Sequence, residues 1–359
     1  MTLVTRTLSA TEPAATKSQT GRLSRLTRDR LLVALGCLWL LDAALQYQPI
    51  MFGQGFFKEI VLPTAQGQPG WVTALLNFGH RVAGPDMGWF NIGFATLQLL
   101  IGVGILARYR PRIQRLALGV SVVWCLVIWI FGEGLGQILS NQGSGLIGSP
   151  GSALIYAVVA LLLWPRKQTD DLDPACAQLV QQQGVSVASG GLLGDLGGRI
   201  AWALMWVGLF VLSIDGPNLA PNSYSEAIAS NASSVPGFLA GFYNSVAHAL
   251  MGQGPMLGVM IGAFELVIGL GVLVKDRGIR DLCLVVGISI SLFYWVFGQG
   301  FGGITSGSGT DPNSGPLFVL LALAIWARSS ALAGGHQGAT PAGASGPIPA
   351  AEKPASTAG

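Results

Sequence analysis

The chain has 359 residues, 51% hydrophobic and only 10% charged, with a mean hydropathy of +0.55. A surface in water needs about a quarter of its residues charged, so an ordinary soluble domain is excluded and lipid is the natural solvent for much of this chain. The net charge of +3, with no single basic patch, excludes a nucleic-acid binder.

Residues 1–30 are mostly polar and basic and read as a cytoplasmic tail, with a short surface helix at Leu23–Arg30. No cleavable signal is expected, so Leu31–Ala44 reads as a retained membrane helix. Eight apolar stretches follow the tail, at about 31–47, 88–107, 116–132, 150–165, 200–215, 256–274, 282–298 and 313–328. The fourth and eighth are short for a ~30 Å hydrocarbon core. Glycine-rich segments precede both, and such backbone is tolerated at membrane depth when buried in protein. Residues 69–83 and 236–250 read as short amphipathic helices on the outer side. The expected fold is an all-α integral membrane protein of about eight transmembrane helices.

The two halves repeat one another. Pro69-Gly70-Trp71 matches Pro236-Gly237-Phe238 at an offset of 167, which also pairs Asn77 with Asn244, Gln98 with Glu265 and Gly102 with Gly269. Trp129 to Gly136 matches Trp295 to Gly302 at 166, and Pro150-to-Arg166 matches Pro312-to-Arg328 at 162. The organisation is therefore a tail at 1–30, a four-helix repeat at 31–166, a polar cytoplasmic linker at 167–199, a second four-helix repeat at 200–328, and a low-complexity tail at 329–359 expected to be disordered. Of the 20 Lys and Arg, 18 fall in the two tails, at 166–199, in the turns at 108–115 and 275–280, and at Arg328; only Lys58 and Arg81 lie on the other side. The positive-inside rule then places both termini in the cytoplasm of a cell-membrane protein, and four crossings per unit make the repeats parallel.

Charged groups among apolar helices cost about 2.5–3.5 kcal/mol on insertion scales, which makes them site candidates. Asp42 and Asp215 lie near the outer ends of the first and fifth stretches. Glu265 sits mid-helix, with Gln98 as its mate. Glu133 and its mate Gln299 sit in the Gly-x-Gly-x-Gly segments. His80 and His248 occupy near-equivalent places beside Asn77 and Asn244, and Arg81 is a candidate anion attractor. A polar cavity near the outer surface suits a headgroup, a quinone ring or a small anion. Plain alternatives stand beside these readings: Glu265 as an internal helix-bonding group, the histidines as interfacial residues, and Trp39, Trp89, Trp129, Trp164, Trp295 and Trp326 as an aromatic belt. Two histidines without a carboxylate at suitable spacing predict no metal site, and the four cysteines read as small hydrophobes.

Gln98-Leu99-Leu100-Ile101-Gly102-Val103-Gly104 and Glu265-Leu266-Val267-Ile268-Gly269-Leu270-Gly271, each followed by a basic turn, resemble the glutamate-containing helix of the DoxX/DoxD-like membrane family. The first helix ending near Gln48-Pro49 is similar too. The resemblance implies quinone-linked redox chemistry, as in the membrane subunit of a thiosulfate:quinone oxidoreductase, with quinone as co-substrate and a partner subunit of a redox complex in addition to the lipid bilayer. Glu265 and Glu133 would then handle protons, and Asp42, Asn77, His80, Arg81, Gln98, Asp215, Asn244, His248 and Gln299 would line the binding site. The sequence carries no cofactor motif. This chain departs from the family in its duplicated unit and in Gln98 replacing the glutamate. A small-solute or ion transporter and a non-catalytic assembly subunit are the competing readings.

Overall fold

The computed structural model describes residues 13–165 and 186–327, with side chains from Arg28 onward. Residues 1–12, 166–185 and 328–359, among them Arg166, Cys176, Arg328 and His336, lie outside the described residues. Every regular element among the described residues is helical. They are α1 (Pro13–Leu45), α2 (Gly70–Ala83), α3 (Met87–Leu106), α4 (Pro111–Phe131), α5 (Ser152–Leu163), α6 (Gly194–Ser213), α7 (Ser223–Ser230), α8 (Gly237–Ala249), α9 (Gly254–Gly271), α10 (Arg277–Phe293) and α11 (Ser314–Ile325). Short helical turns fill 49–65, 216–219 and 294–303.

Five segments are long and apolar enough to cross a membrane by length and composition: Gly70–Leu106, Pro111–Phe131, Gly194–Ser213, Gly254–Gly271 and Arg277–Gly298. Their outward faces carry Leu100, Leu116, Val123, Leu204, Val267 and Leu282, all well exposed. Such a surface is costly in water and suits acyl chains.

α4 and α10 start about five residues earlier than their apolar runs suggest. Pro111 is pre-set for the first helical turn, and Asp276 caps α10 by accepting from the Ile279 amide at 2.9 Å. α6 starts at Gly194, inside the stretch assigned to the linker. Its first turn is held by an Asp195–Arg199 ion pair one helical turn apart.

α5 and α11 are 12 residues each, of which nine are buried in each and the rest half-buried. At 1.5 Å per residue each spans about 18 Å, well short of the hydrocarbon core. They pack against each other at the centre, flanked by α4, α6 and α10. Trp202, Trp206 and Phe318 form the aromatic centre of this core, with ring centroids 5.3 Å apart for Trp202–Trp206 and Trp206–Phe318. The irregular backbone from 143 to 151, which leads into α5, is almost entirely buried in protein.

Several contacts recur at matched positions of the two halves. The Trp129 indole donates to the Pro150 carbonyl at 2.9 Å, and the Trp295 indole to the Pro312 carbonyl at 2.8 Å. A methyl added to Gly102 would lie 3.1 Å from the Gly36 carbonyl oxygen; one added to Gly269 would lie 3.2 Å from that of Ala203. Small residues therefore set the α1–α3 and α6–α9 approach. Leu135 and Phe301 both hold φ of 57°, a costly conformation for non-glycine residues.

The tryptophans divide. Trp89 is 77% exposed, as an interfacial residue would be, whereas Trp39 is buried with its ring centroid 4.9 Å from that of Tyr156. Cys125 and Cys283 are buried, while Cys37 is exposed on an apolar helix face.

Candidate functional site

The first half encloses a cavity of about 410 Å³ between α1, α2, α3, α4 and α5. Its volume lies within the range of small-molecule sites. Phe78, Val82, Phe90 and Val127 line it and are exposed, so they mark its mouth. Phe57, Phe94 and Trp124 form aromatic walls, and Trp39 and Tyr156 close the deep end.

Three carboxyl groups line this space: Asp42, Glu133 and Asp311. Asp42 is 2% exposed on α1, and its Oδ1 has no hydrogen-bond partner. The Tyr156 hydroxyl lies beside Asp42 without closing a hydrogen bond of good geometry. Glu133 follows the end of α4, where Gly134 and Gly136 take left-handed φ of 54° and 61° and turn the chain back under α5. A methyl on Gly136 would lie 1.7 Å from the Pro150 carbonyl oxygen, so only glycine lets these two strands of backbone meet. The turn aims the Glu133 carboxylate at the start of α5. There it accepts from Ser152 Oγ at 2.5 Å and from the Ala153 amide at 3.1 Å. Burial, and then the negative charge of Asp311, push the Glu133 carboxyl up to about 7; the bonds from Ser152 and Ala153 pull the other way. Asp311 comes from the second half. Its carboxylate accepts from the Asn313 amide at 2.7 Å and from the Thr310 hydroxyl at 2.8 Å.

Seven buried polar atoms on this cavity have no partner: Trp39 Nε1, Asp42 Oδ1, Gln46 Oε1, Gln98 Oε1, Trp124 Nε1, Ser149 Oγ and the Tyr156 hydroxyl. Each such group costs about 1–3 kcal/mol when left unsatisfied. Their gathering around one space suits a ligand with a polar head and an apolar body.

Of the residues singled out in the sequence, the structure brings Asp42, Gln98 and Glu133 together here. Glu265 is fully buried elsewhere, accepting from Ser213 Oγ and from the Tyr294 hydroxyl, both at 2.6 Å. Gln299 donates to Ser314 Oγ at 2.9 Å and accepts from the Gly315 amide at 3.1 Å, the same two-point contact that Glu133 makes. The matching place in the second half is occupied by side chains. Leu146, reaching over from the first half, packs with Tyr224, Tyr243 and Tyr294. His80 lies outside the cavity lining, 3.1 Å from Gln54 Oε1 and stacked on Phe57. Asn77, Arg81, Asp215, Asn244 and His248 are exposed and do not line the cavity. Comparison of the chain with protein-family models, with curated proteins and with solved structures gave no match.

Proposed function

We propose that this chain is a quinone-binding membrane protein of the DoxX/DoxD-like type, taking part in quinone-linked redox chemistry as a subunit of a larger complex. Its eight apolar stretches cross the cell membrane as two parallel repeats of four, α5 and α11 crossing together with the irregular backbone that leads into them, and both termini lie in the cytoplasm. The recurrence of the indole–carbonyl bonds and of the Glu133 and Gln299 contacts supports the repeat. The site belongs to the first repeat, and the second is its filled structural counterpart.

The observation that carries the functional reading is the cavity itself. Its apolar mouth lies between helices suited to lipid, so a membrane-dissolved ring reaches it sideways. Its deep end offers unpartnered N–H and O–H groups to ring oxygens and carboxyl groups that exchange protons. Glu265, held by Ser213 and Tyr294, serves packing in this reading.

Binding of a short-tailed benzoquinone to the full chain in detergent tests it. Saturable binding is expected, with a rise in the thermal midpoint that grows with ligand concentration. Absence of saturable binding for every quinone tried, together with no thiosulfate-dependent quinone reduction alongside neighbouring gene products, would overturn it.

A further inference from the structure

We infer that Asp42 and Tyr156 are the residues that make this cavity select a ring bearing oxygen over a plain hydrocarbon ring. The inference rests on the reading above that a quinone-class ring occupies the site. The observation behind it is that the second half carries hydrocarbon at both matched positions.

The offset of 167 that pairs Gln98 with Glu265 also pairs Trp39 with Trp206 and Asp42 with Leu209. The offset of 162 that pairs Ser152 with Ser314 pairs Tyr156 with Phe318. The packing corresponds as well: the ring centroids of Trp39 and Tyr156 lie 4.9 Å apart, and those of Trp206 and Phe318 lie 5.3 Å apart. Leu209 and Phe318 are each 1% exposed and sit in the apolar core. Packing at this place therefore needs neither the carboxyl nor the hydroxyl. Leucine is close to aspartate in outline, and phenylalanine differs from tyrosine by the hydroxyl alone.

The other unpartnered groups on the cavity do not stand apart in this way. The Trp39 indole N–H has no partner, but neither has that of Trp206, so the feature is common to both halves. Gln46 and Gln98 are matched by Ser213 and Glu265, which stay polar and bond to each other at 2.6 Å. Trp124 is matched by Ile290, an exchange that alters bulk as much as polarity. Asp42 and Tyr156 are each 2% exposed, each has an oxygen without a partner, and the two lie side by side. Holding such groups out of water without partners is unfavourable. An oxygen-bearing ring relieves that cost on binding, whereas a hydrocarbon ring of the same size leaves it in place. The Tyr156 hydroxyl both donates and accepts, and so does a neutral carboxyl group, so the pair serves a ring carbonyl and a ring hydroxyl alike.

The test is calorimetric titration of the full chain in detergent with two ligands. One is a short-tailed benzoquinone, and the other is the alkylbenzene in which methyl groups replace its two ring oxygens. The unaltered chain is expected to bind the quinone about tenfold or more tightly than the alkylbenzene. The double variant Asp42→Leu, Tyr156→Phe, which takes the residues of the second half, is expected to lose about tenfold in quinone affinity and nothing in affinity for the alkylbenzene. Should the double variant fold poorly, Tyr156→Phe alone carries the comparison, and the two ligands on the unaltered chain decide by themselves if neither variant folds. Three results would overturn the inference while leaving the ring site standing: a quinone bound no more tightly than the alkylbenzene by the unaltered chain, an unchanged quinone affinity in the folded variant, or an equal loss for both rings. Binding of neither ring to the unaltered chain would overturn the site reading as well.

Discussion

Ile128→Tyr is expected to abolish ring binding while leaving the protein folded. The repeat places Ile128 opposite Tyr294. In the second half that tyrosine is 2% exposed and gives its hydroxyl to Glu265, the mate of Gln98. A tyrosine at 128 would therefore point its ring into the first cavity and its hydroxyl toward Gln98, whose Oε1 has no partner. Overpacking normally costs about 1–3 kcal/mol. Here the added volume enters empty space and the new hydroxyl finds an acceptor, so the thermal midpoint should change little. Calorimetric titration should show ligand affinity reduced by about a hundredfold or more, the loss of roughly 3 kcal/mol of contacts. Ile128→Val, which only enlarges the space, should retain binding. A tyrosine variant that binds as tightly as the unaltered chain would place the ligand elsewhere.

Stability should fall as pH rises through neutrality, and Glu133→Gln should remove much of that fall. Glu133 has its carboxyl raised from an ordinary 4.5 to about 7 by burial and by Asp311. A raised carboxyl pKa means that folding favours the neutral acid. The stabilising contribution is complete below the unfolded value of about 4.5 and is lost as pH climbs through about 7. Allowing for the partial exposure of the side chain, the loss between pH 5 and pH 8 is roughly 2 kcal/mol. Gln299 shows that the neutral amide fits the same turn, donating to Ser314 and accepting from Gly315. Thermal melts from pH 5 to pH 8 should be flatter for Glu133→Gln than for the unaltered chain. Identical slopes would mean that Glu133 is not the titrating group.

The helical class could be read from the sequence because apolar runs of membrane length leave few alternatives. Helix starts were harder. Arg112 and Arg115 in the first turns of α4, and Arg277 and Arg280 in those of α10, dilute hydropathy where the backbone is already helical. Asp42, Gln98 and Glu133 stood out because a polar group in an apolar run is expensive and needs a reason. The same cost singled out Glu265. Its reason, however, is a pair of hydroxyls from two other segments, and no local pattern announces such a pair.

Gln46 and Tyr156 carry no local signal, for opposite reasons. Gln46 lies at a helix end, where polar residues are ordinary, and tyrosine is unremarkable in an apolar helix. Asp311 was beyond reach. It sits in a polar outer turn of the second half, and only the folded chain reveals that this turn crosses to the first cavity. Leu146 makes the reverse crossing and plugs the second half. Trp39 was misplaced by its position in the chain, which suggested the membrane interface, whereas its ring packs on Tyr156 in the core.

Photolabelling offers the most direct measurement. The full chain in lipid discs would be irradiated with an azido-benzoquinone carrying a short tail, then mapped by peptide mass spectrometry. Labels are expected on α3, α4 and α5 around Gln98, Trp124 and Tyr156, and they should vanish in the presence of excess unlabelled quinone. Competable labels confined to the second half around Glu265, or labels spread only over the lipid-facing sides of the helices, would contradict a ring site in the first half.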